Sequence, residues 1–507
     1  MSLIQRTLRV SSRLIGHRLA SVGSSHLLRR NLTATNASFA PTTVWKVDNP
    51  YTGEIVAEVP AITHETAVGM IEAADRTFNS WRQVKLNERI QLIESWCKIM
   101  AQEKEQIALS ITQQMGKPLG QARGEVDTCI KRAQALVAMA NDVLKEEVIT
   151  ADPNAALLRK ITKEPIGVVL ALCPWNYPLL CAVNTVVAAT LAGNSVLLKH
   201  SDRTPLVAEM FEKTFAKAGA PKGLVTALQA DHQLVAKIVE HPSIAYVQFT
   251  GSVAGGRAVY SNVAAKRFID VGLELGGKDP AYVAADADLP YAIDNVVDGG
   301  LYNAGQSCCA VERVYVHEKH YEAFLAGAAK LMSNYVLGDP TVASTTLGPI
   351  AQPQHVAFLA EQVNEAKSMG ARILVGGSAT HDSKGKGRFF QPTLVADATH
   401  KMRVVSEESF GPILAVIKVK DDAEAVRLMN DSAYGLTASV WTSDIERATS
   451  IGRQLNAGTV FMNRCDFLDP YLAWSGRKDS GKGIGLSSHG FAPFVRTKSW
   501  NFRPATK

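Results

Sequence analysis

Apolar positions recur every three or four residues over 64–81, 87–105 and 119–144, the period of an amphipathic helix with one buried face. Three long helices in an outer layer are predicted there. Ahead of them, short extended runs over about 43–60 flank Asn49-Pro50-Tyr51-Thr52-Gly53, a turn composition between two strands. Further on the period changes. Unbroken apolar runs at 167–172, 195–199, 224–227 and 244–250 alternate with helical stretches that end near 191 or span 205–218 and 233–240. Strands apolar on both faces and separated by helices predict an open parallel sheet, whose strand ends are natural nucleotide sites. A second α/β series runs over 279–480, with strands at 314–316, 371–375, 414–419, 438–441 and 458–462 and helices at 321–336 and 354–369. Between the helical layer and the first sheet, extended runs at 147–150 and 156–161 flank Asp152-Pro153-Asn154, which reads as a protruding hairpin suited to oligomerisation.

Composition adds little until it is located. The chain has 507 residues, 46% apolar and 20% charged, so two or three globular units are expected. Its formal net charge of +6 equals the six arginines at 6, 9, 13, 18, 29 and 30, and residues 1–40 contain no acid. The remainder is electrically neutral, without a basic patch, which argues against nucleic acid as a partner. Ile4, Leu8, Ile15 and Leu19 recur at helical spacing in that Arg- and Ser-rich leader, the pattern of a mitochondrial presequence cleaved near Arg30; a disordered basic tail is the alternative. The longest apolar run, 166–180, is interrupted by Pro174, Trp175 and Asn176, so no membrane span is expected. Seven cysteines are scattered, without metal-ligand spacing, as in a protein with reduced thiols and no metal.

Two of those cysteines stand together in Asn303-Ala304-Gly305-Gln306-Ser307-Cys308-Cys309-Ala310-Val311-Glu312-Arg313, and four further motifs carry chemistry. Pro174-Trp175-Asn176-Tyr177-Pro178 follows an apolar strand; its asparagine amide is a candidate donor to an oxyanion, though taken alone such a segment is more often a plain turn. In Val271-Gly272-Leu273-Glu274-Leu275-Gly276-Gly277-Lys278 a single acid in an apolar, glycine-rich setting is either a desolvated general base or a buried backbone cap. Phe249-Thr250-Gly251-Ser252-Val253-Ala254-Gly255-Gly256-Arg257 ends a strand and opens a helix. Its glycines and N-terminal donors suit a phosphate, yet it departs from Gly-x-Gly-x-x-Gly, so a plain glycine-rich turn stays open. Lys199 at a strand end, followed by Asp202, is a solvated terminus or a pair for ribose hydroxyls.

Together these residues resemble the aldehyde dehydrogenase superfamily, and the resemblance runs from about residue 45 onward. The Pro-Trp-Asn-Tyr-Pro segment, Leu-Glu-Leu-Gly-Gly-Lys around Glu274, Gly305-Gln306-Ser307-Cys308-Cys309, Glu408-Ser409-Phe410-Gly411-Pro412 and residues 430–436 match family motifs in order. The 34 positions from Glu274 to Cys308 match too. The resemblance implies an α/β fold with a Rossmann-like cofactor-binding domain (41–145 and 165–277), an α/β catalytic domain (278–487) and a small β oligomerisation arm (146–164 and 488–507). It implies Cys308 as nucleophile, Asn176 and the Cys308 N–H as oxyanion donors, and Glu274 as the base for thioester hydrolysis, so that the acid and not an acyl-coenzyme A is released. Trp175, Lys199, Asp202, Gly251, Ser252, Gly256, Glu408 and Phe410 would hold the dinucleotide. NAD is favoured because Asp202 would repel the extra phosphate of NADP, with NADP possible. A homodimer or homotetramer is expected through the arm, and the leader places it in the mitochondrial matrix.

The substrate region departs from the family. Tyr471-Leu472-Ala473-Trp474-Ser475-Gly476 replaces the usual Pro-Phe-Gly-Gly, after Arg464-Cys465-Asp466-Phe467-Leu468-Asp469. Tyr177, Asn184, Ser307 and Cys309 would line a polar tunnel, and Arg464 is the residue expected to meet a substrate carboxylate, which suggests a small or carboxylated aldehyde such as succinate semialdehyde. Two other readings are open: a dinucleotide-binding structural protein without turnover, and a cofactor-independent thioesterase using Cys308.

Overall fold

The computed structural model describes residues 43–149 and 158–503; the expected presequence and the expected hairpin turn at 152–154 lie outside the described residues. Residues 41–507 form one compact unit. Strands β1 (Val44–Asp48) and β2 (Ile55–Pro60) pair around the expected turn. Helices α1 (His64–Trp81), α2 (Leu86–Gln102), α3 (Lys104–Met115) and α4 (Leu119–Leu144) follow. The third was not anticipated from the pattern. It ends on Gly116 in the left-handed region (φ 82°), where an added Cβ would approach Pro349 Cγ at 2.7 Å.

The arm comes next, with β3 (Glu147–Val148) antiparallel to β4 (Leu158–Pro165). The first sheet is then built by β5 (Val168–Cys173), α5 (Pro178–Ala192), β6 (Ser195–His200), α6 (Leu206–Lys217), β7 (Val225–Ala227), α7 (His232–Ile238), β8 (Ile244–Thr250), α8 (Val253–Ala264) and β9 (Asp270–Glu274). Its strand order β9-β8-β5-β6-β7 is parallel throughout. Strand β5 is buried at every position because Val169 and Ala171 pack against α4 and α5 while Val168, Leu170 and Leu172 join the core beneath α1 and α7. The chain leaves β5 for β6 on one side and returns to β8 on the other, so a crevice opens beyond the carboxyl ends of β5 and β8, the usual ligand position of such sheets.

The second sheet contains β10 (Asp279–Val283), β11 (Val311–His317), β12 (Arg372–Val375), β13 (Thr393–Ala396), β14 (Ile413–Val419), β15 (Thr437–Trp441) and β16 (Thr459–Met462). They lie in the order β12-β13-β14-β11-β10-β15-β16, parallel except for edge strand β12. Helix α9 (Leu289–Leu301) delivers the chain to the cysteine pair before β11. A short strand β17 (Gly481–Lys482) joins the edge of the first sheet, opposite Glu274 and Leu273. The closing strand β18 (Val495–Phe502) pairs with β4 along its full length, so the arm has three strands.

Candidate active site

A cavity of about 700 Å³ opens at the carboxyl ends of β5 and β8 and reaches the cysteine pair. The β5 end contributes Trp175 and Asn176, the β8 end Thr250, Gly251 and Ser252, and the segment before β11 contributes Ser307, Cys308 and Cys309. Ser252 caps α8, its Oγ accepting from the Gly255 N–H at 3.1 Å. A Cβ on Gly251 or Gly255 would come within 2.7 or 2.8 Å of the Phe249 ring, so the loop needs glycine to lie flat on that ring.

The segment that leads to the cysteine pair is a strained turn. Asn303 (φ 54°), Ala304 (φ 56°) and Gly305 (φ 69°) are consecutive left-handed residues, two of them not glycine. Hydrogen bonds hold them: Asn303 Nδ2 donates to Asn176 O (3.2 Å) and Gln306 O (3.0 Å), Gln306 Nε2 to Asn303 O (3.0 Å), and Ala351 N to Gln306 Oε1 (2.9 Å). Cys308 emerges partly exposed into the cavity, and its backbone N–H has no acceptor among the described residues. Asn176 is 4% exposed, with Nδ2 donating to Gln306 O at 3.2 Å, which leaves its second amide hydrogen for a ligand.

The two thiols differ in their surroundings. Cys309 is buried, its Sγ 3.0 Å from Asp466 Oδ1; the sulfur of Cys308, burial and the Asp466 carboxylate together push its thiol well above the usual range. A thiol so placed stays protonated and unreactive. Asp466, which also accepts from Ser307 Oγ at 3.1 Å, is itself raised to about 6 by burial.

Two carboxyls face the cavity from glycine-rich turns. Burial raises Glu274 to about 7, opposed by the charge of Arg132 and by a 3.4 Å hydrogen bond from Thr250 Oγ1. It makes no hydrogen bond to Cys308, and both line the cavity. Glu408 is raised to about 8, first by burial and then by the charge of Glu312, while Gly277 N donates to it at 2.9 Å. A Cβ at Gly276 would collide with that carboxylate and one at Gly277 with the Cys308 carbonyl oxygen, which explains the paired glycines after Glu274.

The sequence profile of the aldehyde dehydrogenase family matches residues 38–500. This chain belongs to the aldehyde dehydrogenase family. It is 35% identical to a succinate-semialdehyde dehydrogenase [NADP(+)] of Deinococcus radiodurans over 468 residues, covering 92% of this chain and 97% of that one. A succinate semialdehyde dehydrogenase [NAD(P)+] of Escherichia coli K12 is 34% identical, with 90% and 97% covered. Lactaldehyde dehydrogenase from Escherichia coli superposes with a TM-score of 0.86 at 29% identity, over 91% of this chain and 96% of that structure.

In this aldehyde dehydrogenase the residues singled out from sequence divide into two groups. Trp175, Asn176, Gly251, Ser252, Glu274, Cys308, Glu408 and Phe410 share the cavity, with the Trp175 and Phe410 rings edge-on at 5.6 Å. Lys199, Asp202 and Gly256 do not line it. Lys199 is buried at the end of β6, its Nζ 5.9 Å above the Trp45 ring, and makes no ion pair with exposed Asp202, which accepts from Ser201 Oγ at 3.0 Å. Gly256 packs on Leu275, where a Cβ would lie 2.6 Å from Cδ2, so its glycine serves helix–strand packing. Tyr177, Asn184, Ser307, Cys309, Cys465, Asp466 and Trp474 line the same cavity, whereas Tyr471 and Leu472 are exposed and do not. Nor does Arg464: it is exposed and stacked on Phe467, with the guanidinium carbon 3.3 Å from the ring centroid, because that contact turns it out to solvent.

Sequence reasoning missed the residues that brace the site. Lys117 and Glu125 form a fully buried ion pair; Lys117 Nζ also donates to Asn176 O at 2.8 Å and Glu125 accepts from Leu179 N at 2.9 Å, fixing the loop that carries Asn176. Glu312 pairs with Lys278 and accepts from Ser409 N (2.7 Å) and Phe410 N (2.8 Å), fixing the loop that carries Glu408. The signal available was two adjacent charges, Glu312-Arg313, at the head of an otherwise apolar strand. Arg132 was missed as well, because on a helix of this length an arginine reads as solvated. No group of His, Cys, Asp or Glu able to hold a metal occurs among the described residues. No described helix is long and apolar enough to cross a membrane.

Proposed function

We propose that this aldehyde dehydrogenase oxidises a small, carboxylated aldehyde of the succinate semialdehyde type to the acid, with Cys308 as nucleophile. The observation that carries the reading is the meeting in one cavity of a partly exposed thiol, two uncommitted N–H donors and a buried carboxyl near neutrality. The Cys308 thiolate attacks the carbonyl carbon, forming a C–S bond. Negative charge that develops on the carbonyl oxygen accepts from Asn176 Nδ2 and the Cys308 N–H. After loss of the aldehyde hydrogen as hydride, the carbon is a thioester. Glu274 takes a proton from water as it attacks that carbon; the C–S bond breaks, the acid leaves and the thiolate returns.

The cavity residues fit a nicotinamide dinucleotide. The crevice at the β5/β8 switch point, the Val253 and Ala254 N–H groups that open the twelve-residue helix α8 without acceptors among the described residues, and the absence of side chains at Gly251 and Gly255 leave room and N–H donors for a pyrophosphate. Glu408, Trp175 and Phe410 would flank the nicotinamide end, and Lys199 with Asp202 the far ribose. Bound there, NAD supplies the hydride acceptor. Asp202 favours NAD, with NADP as a second substrate; the relatives are NADP(+)- and NAD(P)+-dependent by name. Residues 1–40 would direct the enzyme to the mitochondrial matrix, and the arm would make a homodimer or homotetramer.

Cys308→Ala is expected to lose NADH production with every aldehyde, while Glu274→Gln should give a burst of NADH stoichiometric with enzyme, followed by slow turnover, in stopped-flow absorbance at 340 nm. Steady turnover by the Cys308 variant would overturn the assignment.

A further inference from the structure

We propose that Arg132 anchors the substrate, its guanidinium taking the terminal carboxylate of an aldehyde acid whose carbonyl end meets Cys308. The inference deepens the aldehyde-oxidising reading and rests on it. Arg132 lies mid-way along α4, on the same face as Gln121, Gly124, Glu125 and Thr128, and like them it lines the cavity. It is 4% exposed. A cation so deeply buried is ordinarily paired with an anion or fully hydrogen-bonded.

Here it is neither. Nη1 donates to two neutral oxygens of α5, Leu180 O at 3.2 Å and Asn184 Oδ1 at 3.4 Å; Nε is enclosed without an acceptor, and Nη2 donates to no protein group among the described residues. No carboxylate oxygen of the described residues comes within ion-pair distance of it. The bond to Asn184 Oδ1 also sets the direction of that amide and leaves Asn184 Nδ2 as a second donor beside the guanidinium. A planar cation with one amide N–H next to it suits the two oxygens of a carboxylate.

The remaining charges of the cavity sharpen the choice. Glu125, on the same helix face, is neutralised by Lys117, and Asp466 is held on another wall by Ser307 and Cys309. Asp466 and Asp298 would repel an anionic tail from their side, which leaves the Arg132 and Asn184 wall. Glu274 is close enough to feel the Arg132 charge, so the rival role for Arg132 is to poise that base.

Succinate semialdehyde and butanal have the same four carbons and differ in the carboxylate, so their ratio of kcat/KM isolates the anchor. In Arg132→Met the ratio should fall tenfold or more, chiefly through KM for the semialdehyde, with Arg132→Lys between it and the parent enzyme. Independently of turnover, succinate should protect Cys308 from alkylation by iodoacetamide in the parent enzyme and fail to do so in Arg132→Met. An equal loss with both aldehydes, accompanied by a moved pH profile, would assign Arg132 to Glu274 and overturn the proposal. So would an unchanged ratio in a variant with native circular dichroism. A parent enzyme that turned over no aldehyde would instead refute the oxidative reading, while the protection assay would still decide the anchor. Should Arg132→Met fail to fold, Arg132→Lys carries the same two measurements.

Discussion

Glu274 is the residue whose chemistry depends most on its surroundings. In water a glutamate is ionised well below pH 7; here burial lifts it to about 7, so it is divided between acid and base near neutrality. As the proposed base it works only when deprotonated. Thioester hydrolysis should therefore rise with pH through about 7, and the pH profile of the single-turnover deacylation rate in Glu274→Gln should lack that limb. Stability follows the opposite direction. A carboxyl that holds its proton more tightly folded than unfolded contributes stability at low pH, and that contribution is lost as the pH rises from the ordinary carboxylate range through about 7. The thermal midpoint of Glu274→Gln should accordingly gain on the parent protein more at pH 8.5 than at pH 5. Cys309 makes the same point about environment: it is chemically identical to its neighbour and placed against Asp466, where its thiol is held protonated.

At the level of elements, the site is made by turns between regular structures rather than by the structures themselves. Strand β9 ends at Glu274, and the two glycines after it allow the chain to pass between the Glu408 carboxylate and the Cys308 carbonyl. A methyl group at Gly277 would push directly on the backbone of Cys308, the proposed nucleophile. Gly277→Ala should lower kcat by at least tenfold, since a displacement on the order of 1 Å can cost about a hundredfold in rate, and should reduce the thermal midpoint. These motifs were legible from sequence because glycine, proline and charge in an apolar run are local signals. The braces behind them were not. Lys117 and Glu125 stand on α3's exit and on α4, Glu312 on β11 and Lys278 in the loop just before β10, so nothing in their spacing says that they pair. Helix α3 was missed for a related reason: only one residue separates it from α2, and two successive amphipathic patterns run together.

For the whole molecule, the three-stranded arm is the feature that a lone chain does not explain. Strand β18 pairs with β4 along one edge and has no partner on the other among the described residues, and Leu158 and Phe502, opposite one another in register, are each about half exposed (51%). An open edge of eight residues with apolar side chains invites a partner strand. With the arm as the proposed contact between copies, replacing both Leu158 and Phe502 by Lys should leave the circular dichroism unchanged and shift sedimentation velocity to a smaller species; an unshifted oligomer would exclude this edge.

The sequence by itself determined the alternation of strands and helices, the turn glycines, the choice of Cys308, Asn176 and Glu274 as candidates, and membership of the family, because each is carried by residues close together in the chain. Tertiary structure decided which of the candidates share a cavity and what each one experiences there. It took Arg464 out to solvent through Phe467, set Gly256 to packing against Leu275, and buried Arg132 without an anion. Those outcomes turn on desolvation and on contacts between segments far apart in sequence, which periodicity and motif spacing do not encode.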